Sequence, residues 1–164
     1  MGKVILICGK ICSGKSHYAQ KLSKTENAVV LSCDEIAFDL SLNEIKDSDG
    51  HDDVMSRVTS YLHKKAVQIA ICGSNVILDF GAWDKKERKN LSNYYSEHGI
   101  SIEWHYVDIS DEDWRVNIEK RNQLVFKNRI NAYYLDEGLM AKMVSLFEPP
   151  TKEEVDVWFV NVRE

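Results

Sequence analysis

The stretch KVILICGKICSGKSHYAQ occupies residues 3–20. Lys3 to Cys8 is a short, almost continuous apolar run closed by Gly9, the pattern of a strand buried on both faces. A helix is expected from about Gly14 through His17, Tyr18, Gln20 and Leu22. Between them Gly9, Lys10, Ile11, Cys12, Ser13, Gly14, Lys15 and Ser16 spell GKICSGKS, a full match to the eight-residue phosphate-binding loop pattern. Its glycines let the backbone curl until successive N–H groups face phosphate oxygens. The helix N-terminus adds the positive end of its dipole. Lys15 can reach β- and γ-phosphates, and Ser16 offers its hydroxyl to Mg²⁺.

Working outward, strands and helices alternate. Ala28 to Ser32 predicts a second buried strand, and Asp47 to Gly50 gives the clearest loop signal. Helical spacing runs from about Asp52 to Ile71, and Asn75 to Leu78 opens a third strand closed by Asp79. A helix over Asp84 to His98 ends at Gly99, and Ile100 to Val107 is a fourth strand. Ser110 and Asp113 have capping-box spacing for a helix to about Asn122. A short helix over Glu137 to Phe147 stops before Pro149 and Pro150, and Val155 to Val162 is a last strand. This alternation predicts an α/β fold, a parallel sheet with helices on both faces. Ligands bind such sheets beyond the carboxyl ends of the strands, here just after Cys8, Ser32, Leu78 and Val107.

The whole chain has 164 residues, 44% hydrophobic and 29% charged, with 21 Lys and Arg against 26 Asp and Glu for a net charge of −5. That suits one ordered domain over 1–164 and argues against general nucleic-acid or anionic-membrane binding. The apolar run at Val4 to Cys8 is too short for a membrane span or signal segment. Leu6 stands where a myristoylation motif needs Ser or Thr. A cytoplasmic location is expected. Cys8, Cys12, Cys33 and Cys72 lack zinc-ligand spacing and are expected to be free thiols. Oxidation of Cys12, inside the loop, is expected to block phosphate entry. The His residues form no catalytic triad or metal spacing, and no Ser has a convincing His partner.

No Asn-Lys-x-Asp guanine motif and no LSGGQ-like signature occur, which leaves a small kinase as the reading. Asp47-x-x-Gly50 is read as a turn. Two carboxylates follow strands at the ligand-binding end: Asp34 in LSCDEI and Asp79 in VILDFG. One can accept the proton of an acceptor hydroxyl and the other can hold Mg²⁺. Asp34 is assigned as base and Asp79 as the metal-side carboxylate, the reverse assignment staying open.

GKICSGKS, LSCDEI, VILDFGAWDKKER, VDISDEDWRVNIEKRN and FEPP, with Glu153 or Glu154 soon after, follow one another along nearly the whole chain. In this series the chain resembles the small kinases related to zeta toxin and chloramphenicol phosphotransferase, which share a shikimate-kinase-like core. The resemblance implies a P-loop fold with five parallel strands in the order 2-3-1-4-5, which sets Asp34 and Asp79 beside one cleft with Lys15. It also implies ATP, Mg²⁺ and transfer to a hydroxyl of a small molecule. By position Asp34 resembles the family's catalytic aspartate and Arg121 its lid arginine. The chain departs at Asn117, where many relatives carry Arg, and at Ala37, where an Arg follows the catalytic aspartate.

Lys120, Arg121, Lys127 and Arg129 form a basic cluster, read as part of a lid over about 121–137 that closes on ATP, with Arg121 and Arg129 as phosphate contacts. The acceptor is expected near Phe38 to Arg57 and the turn after Asp79, with Arg57 and Trp83 as candidate contacts. Trp104, Trp114 and Trp158 are assigned to packing. Two competing readings remain: a nucleic-acid 5′-end kinase and a regulatory ATP switch.

Overall fold

A computed structural model describes residues 1–45, 47–130 and 132–162. All five expected strands form: β1 (Val4–Cys8), β2 (Ala28–Ser32), β3 (Asn75–Asp79), β4 (Ile102–Ile109) and β5 (Val157–Asn161). They build one sheet in the order β2-β3-β1-β4-β5, with every pairing parallel. β1 is central because its side chains alternate between two apolar layers. Val4, Leu6 and Cys8 pack toward Ala66, Ala70 and Tyr95, while Ile5 and Ile7 pack toward Ala19 and Val107.

The helices α1 (Lys15–Glu26), α3 (Ser48–Ile71), α4 (Lys85–Glu97), α5 (Asp111–Phe126) and α6 (Glu137–Leu146) match the sequence pattern. The start of α5 is capped as its spacing suggested, with Ser110 accepting the Asp113 N–H at 3.1 Å, and at α4 Asp84 accepts the Glu87 N–H at 2.7 Å. Each such cap contributes about 1 kcal/mol.

Three readings are corrected. Asp47 to Gly50 is the start of α3 rather than a loop. The Asp47 carboxylate caps that helix by accepting the Gly50 N–H at 2.9 Å. A short helix α2 (Cys33–Asp39), which the sequence pattern did not announce, follows β2 directly, with the Ser32 hydroxyl capping Glu35 N–H. β2 is only half-buried because it lies at the sheet edge, where Val29 is 45% exposed. β5 forms the opposite edge, with Trp158, Phe159 and Val160 partly exposed. Among the described residues no helix is long and apolar enough to cross a membrane.

Candidate active site

The loop between β1 and α1 is left-handed at Cys12 (φ 59°) and at Gly14 (φ 98°), which is the N-cap of α1. A side chain at Gly9 would run into the Val107 carbonyl and the Ser13 hydroxyl, and one at Gly14 into the Asn161 amide. Three successive loop carbonyls are tied down by side chains from elsewhere. Trp114 Nε1 donates to Ile11 O (2.6 Å), Asn117 Nδ2 to Cys12 O (3.1 Å) and Asn161 Nδ2 to Ser13 O (2.8 Å). Because a peptide is planar with its C=O and N–H opposed, fixing the Ile11 and Ser13 carbonyls turns the N–H groups of Cys12 and Gly14 the other way, into the loop. That is an anion-binding nest.

Lys15 donates to Gly9 O at 2.9 Å and Lys10 O at 2.7 Å, so its ammonium lies against the loop. Burial pushes its pKa down, opposed by Asp79, Cys12 and Asp34. Lys10 turns outward, pairing with Asp111 at 2.9 Å over the Trp114 ring, so it serves the loop through its backbone. Cys8, buried beneath the loop, has its thiol pushed up to about 11 by burial and is unreactive.

A cleft of about 720 Å³ opens beside the loop and is lined by Lys15, Ser16, Asp34, Asp79, Trp83 and Arg121, among others. Burial raises the Asp79 pKa, against the pull of the Ser16 hydroxyl and the Lys15 ammonium. Asp34 lies in the first turn of α2, and since Ser32 caps that helix its carboxylate is not spent on the cap. It makes no hydrogen bond or ion pair among the described residues. Among those residues no cluster of three or more His, Cys, Asp or Glu could cage a metal. One carboxylate beside a hydroxyl fits Mg²⁺ all the same, because that ion keeps waters and substrate phosphates as its other ligands.

Arg121 sits on the far wall, where Nε donates to Tyr133 O at 3.3 Å and Nη1 approaches Cys12 Sγ at 3.7 Å. In the expected lid segment residues 121–126 are the end of α5, Asn131 lies outside the described residues, and Tyr133 reaches the α2–α3 side. There Tyr133 OH meets His51 Nε2 at 3.1 Å and its ring packs 5.2 Å from that of Phe38. His51 is therefore half-buried. Asn122 holds both the N–H and the carbonyl of Leu135 at 2.8 Å.

Two expected contacts do not enter the cleft. Arg57 lies on the outer face of α3 with its side chain 78% exposed, paired with Asp53 at 3.0 Å. Its neighbours Met55 and Thr59, turned about the helix axis, line the cleft instead. Arg129 is exposed in the turn after α5, outside the cleft lining. Trp114, assigned to packing, is a loop tether. Trp158 is partly exposed and bonds Asp108 at 3.2 Å. Asn161 and Tyr133 escaped the sequence reading. For Asn161 the signal was present, since it ends β5 at the ligand-binding edge.

A phosphate loop after the central strand β1, with Asp79 ending the neighbouring β3 and Asp34 following the edge strand β2, defines a P-loop protein with the kinase type of fold. The chain belongs to the family described as AAA domain, whose AAA_33 model matches residues 4–150. No curated protein matches it significantly. Among solved structures it is similar to a candidate kinase from Chloroflexus aurantiacus, at 16% identity over 97% of this chain and 86% of that one, TM-score 0.71. It is similar to the APS kinase CysC of Mycobacterium tuberculosis in complex with AMPPNP and APS (19% identity, 99% and 90% covered, TM-score 0.67). Kti12 of Chaetomium thermophilum, in complex with ADP-AlF3, is similar at 15% identity (96% and 88% covered, TM-score 0.69). At these identities the likeness shows the fold.

Proposed function

We propose that this protein transfers the γ-phosphoryl group of Mg·ATP to a hydroxyl of a small molecule. The observation that carries the reading is one cleft with Lys15, Ser16 and Asp79 at the phosphate loop and an uncommitted Asp34 beside them. The resemblance to zeta toxins and chloramphenicol phosphotransferase supports the hydroxyl acceptor.

In this reading the loop N–H groups and Lys15 hold the β- and γ-phosphates, and Lys15 exchanges its carbonyl partners for phosphate oxygens. Ser16 and Asp79 would hold Mg²⁺, which would supply positive charge against the developing charge of the phosphoryl group. Asp34 accepts the proton of the attacking hydroxyl. Arg121 adds charge to the transferred group from the lid side, and the Tyr133 segment limits water access.

The test is incubation with γ-labelled Mg·ATP and a panel of hydroxyl metabolites and antibiotics, for the parent chain and Asp34→Asn. General-base loss lowers transfer about 10²–10⁴-fold with nucleotide binding intact. Full transfer by Asp34→Asn would remove the base assignment. Competition by a single-stranded oligonucleotide would instead favour a 5′-end kinase, and tight ATP binding with no transfer to any acceptor would favour a nucleotide switch.

A further inference from the structure

A second cavity, of about 580 Å³, lies between α3 and α4. Its walls are Ser56, Thr59, Ser60 and His63 on α3 and Glu87, Asn90, Leu91 and Tyr94 on α4. On each helix these positions follow the i, i+3, i+4, i+7 spacing of one face. Facing helix stripes are ordinarily apolar and close against each other. Here the stripes carry hydroxyls, an amide, a carboxylate and an imidazole, and a groove stays open between them. Thr59 and Glu87 line both this groove and the catalytic cleft, so the two spaces adjoin.

The charge of the groove is informative. Its lining contains no Lys or Arg. His63 is buried, with Nδ1 2.7 Å from Tyr95 OH, and burial lowers its pKa to about 4, so it is neutral at neutral pH. Glu87 Oε2 accepts the Trp83 N–H at 2.7 Å. The cations of the joined space, Lys15, Lys120 and Arg121, stand on the loop and α5. Arg57, which could have brought a cation to this side of α3, is turned outward onto Asp53. In the groove a second anion in the acceptor would therefore meet the Glu87 carboxylate with no counter-charge, which is costly in a partly desolvated site. Hydroxyl and amide groups beside the flank of a tyrosine ring suit a molecule with many hydroxyls and an apolar C–H face.

We propose that the acceptor is an uncharged polyhydroxy compound of sugar or nucleoside size, whose reacting hydroxyl lies at Asp34 and whose distal hydroxyls occupy the α3–α4 groove. This rests on the phosphotransferase reading above. Ser60 and Asn90, one on each wall, are specificity-determining residues.

The test uses γ-labelled Mg·ATP with matched pairs: a hexose and its 6-phosphate, a linear polyol and the corresponding aldonate, a nucleoside and its 5′-monophosphate. The expected result is transfer to a neutral member and not to its anionic partner. Ser60→Leu and Asn90→Leu, both exposed helix positions, each raise the acceptor KM about tenfold, the loss of one bound hydroxyl contact. ATP affinity, measured in the same samples, stays at the parent value and shows that the fold is intact. Equal or better transfer to an anionic member overturns the proposal, as does an acceptor KM unmoved by both variants. No transfer to any member while ATP is bound is a failure of the phosphotransferase reading itself, and this inference falls with it.

Discussion

His63 makes the fold sensitive to mild acid, and the size of the effect follows from its surroundings. The residue is 8% exposed and sits edge-on to the rings of Phe80, Tyr94 and Tyr95, with Nδ1 bonded to Tyr95 OH. Burial alone lowers its pKa from 6.5 to about 4. The unfolded chain therefore takes up a proton below about pH 6.5 that the folded chain refuses until about pH 4. Stability is complete above that window and falls as the pH is lowered through it. At about 1.36 kcal/mol for each pKa unit, the loss across the window is about 3 kcal/mol, a large share of the stability of an ordinary domain. Glu87, whose carboxyl burial pushes up, contributes in the opposite direction, since a raised acid costs stability as pH rises. The informative quantity is thus the difference between the parent and His63→Gln, which keeps a polar group near Tyr95. Urea unfolding at neutral pH and at about pH 4 should show His63→Gln less stable than the parent at neutral pH. Its acid-induced loss should be smaller by about 3 kcal/mol. An equal acid-induced loss in both proteins, or an imidazole titrating near 6.5 by NMR, would refute the reasoning.

Lys15→Ala should weaken nucleotide binding about a hundredfold or more, the value of a charge-assisted contact in a sheltered site. The nucleotide-free variant should unfold at a temperature no lower than the parent, because burial of the ammonium opposes its charge; isothermal calorimetry and thermal unfolding report the two effects. Asn161→Ala removes the tether on Ser13 O and should cost about 1 kcal/mol, near fivefold in ATP affinity, with every cleft side chain left in place. Peroxide should weaken nucleotide binding through Cys12, which lies between the loop and Arg121. Cys12→Ser should resist it, and binding that survives peroxide in the parent chain would dispose of the idea.

What was legible in the sequence is what depends on neighbours in the chain. The run at Val4 to Cys8, the glycines of the loop and the cap at Ser110 are local patterns, and each forms as expected. α2 was not legible because its seven residues make too few turns for a period to show. Asp47 to Gly50 misled because the residues that favour turns also cap helices. The groups that shape the loop could not be read at all by spacing, since Trp114, Asn117 and Asn161 reach it from 103, 105 and 148 residues away. Arg57 shows the same limit on a smaller scale. A charge on an amphipathic helix has a face, and the face was fixed only when Asp53 and the cleft were both in view.

Those distant tethers have a consequence for the growing chain. A nascent polypeptide that has emerged only through β4 already contains all of GKICSGKS, yet none of the three side chains that hold its carbonyls outward. The loop gains its last support only when β5 adds to the edge of β4. Nucleotide capture is then coupled to strand docking: ATP should bind a chain with β5 in place more tightly than an intermediate that lacks it, and favour the docked edge strand once it arrives.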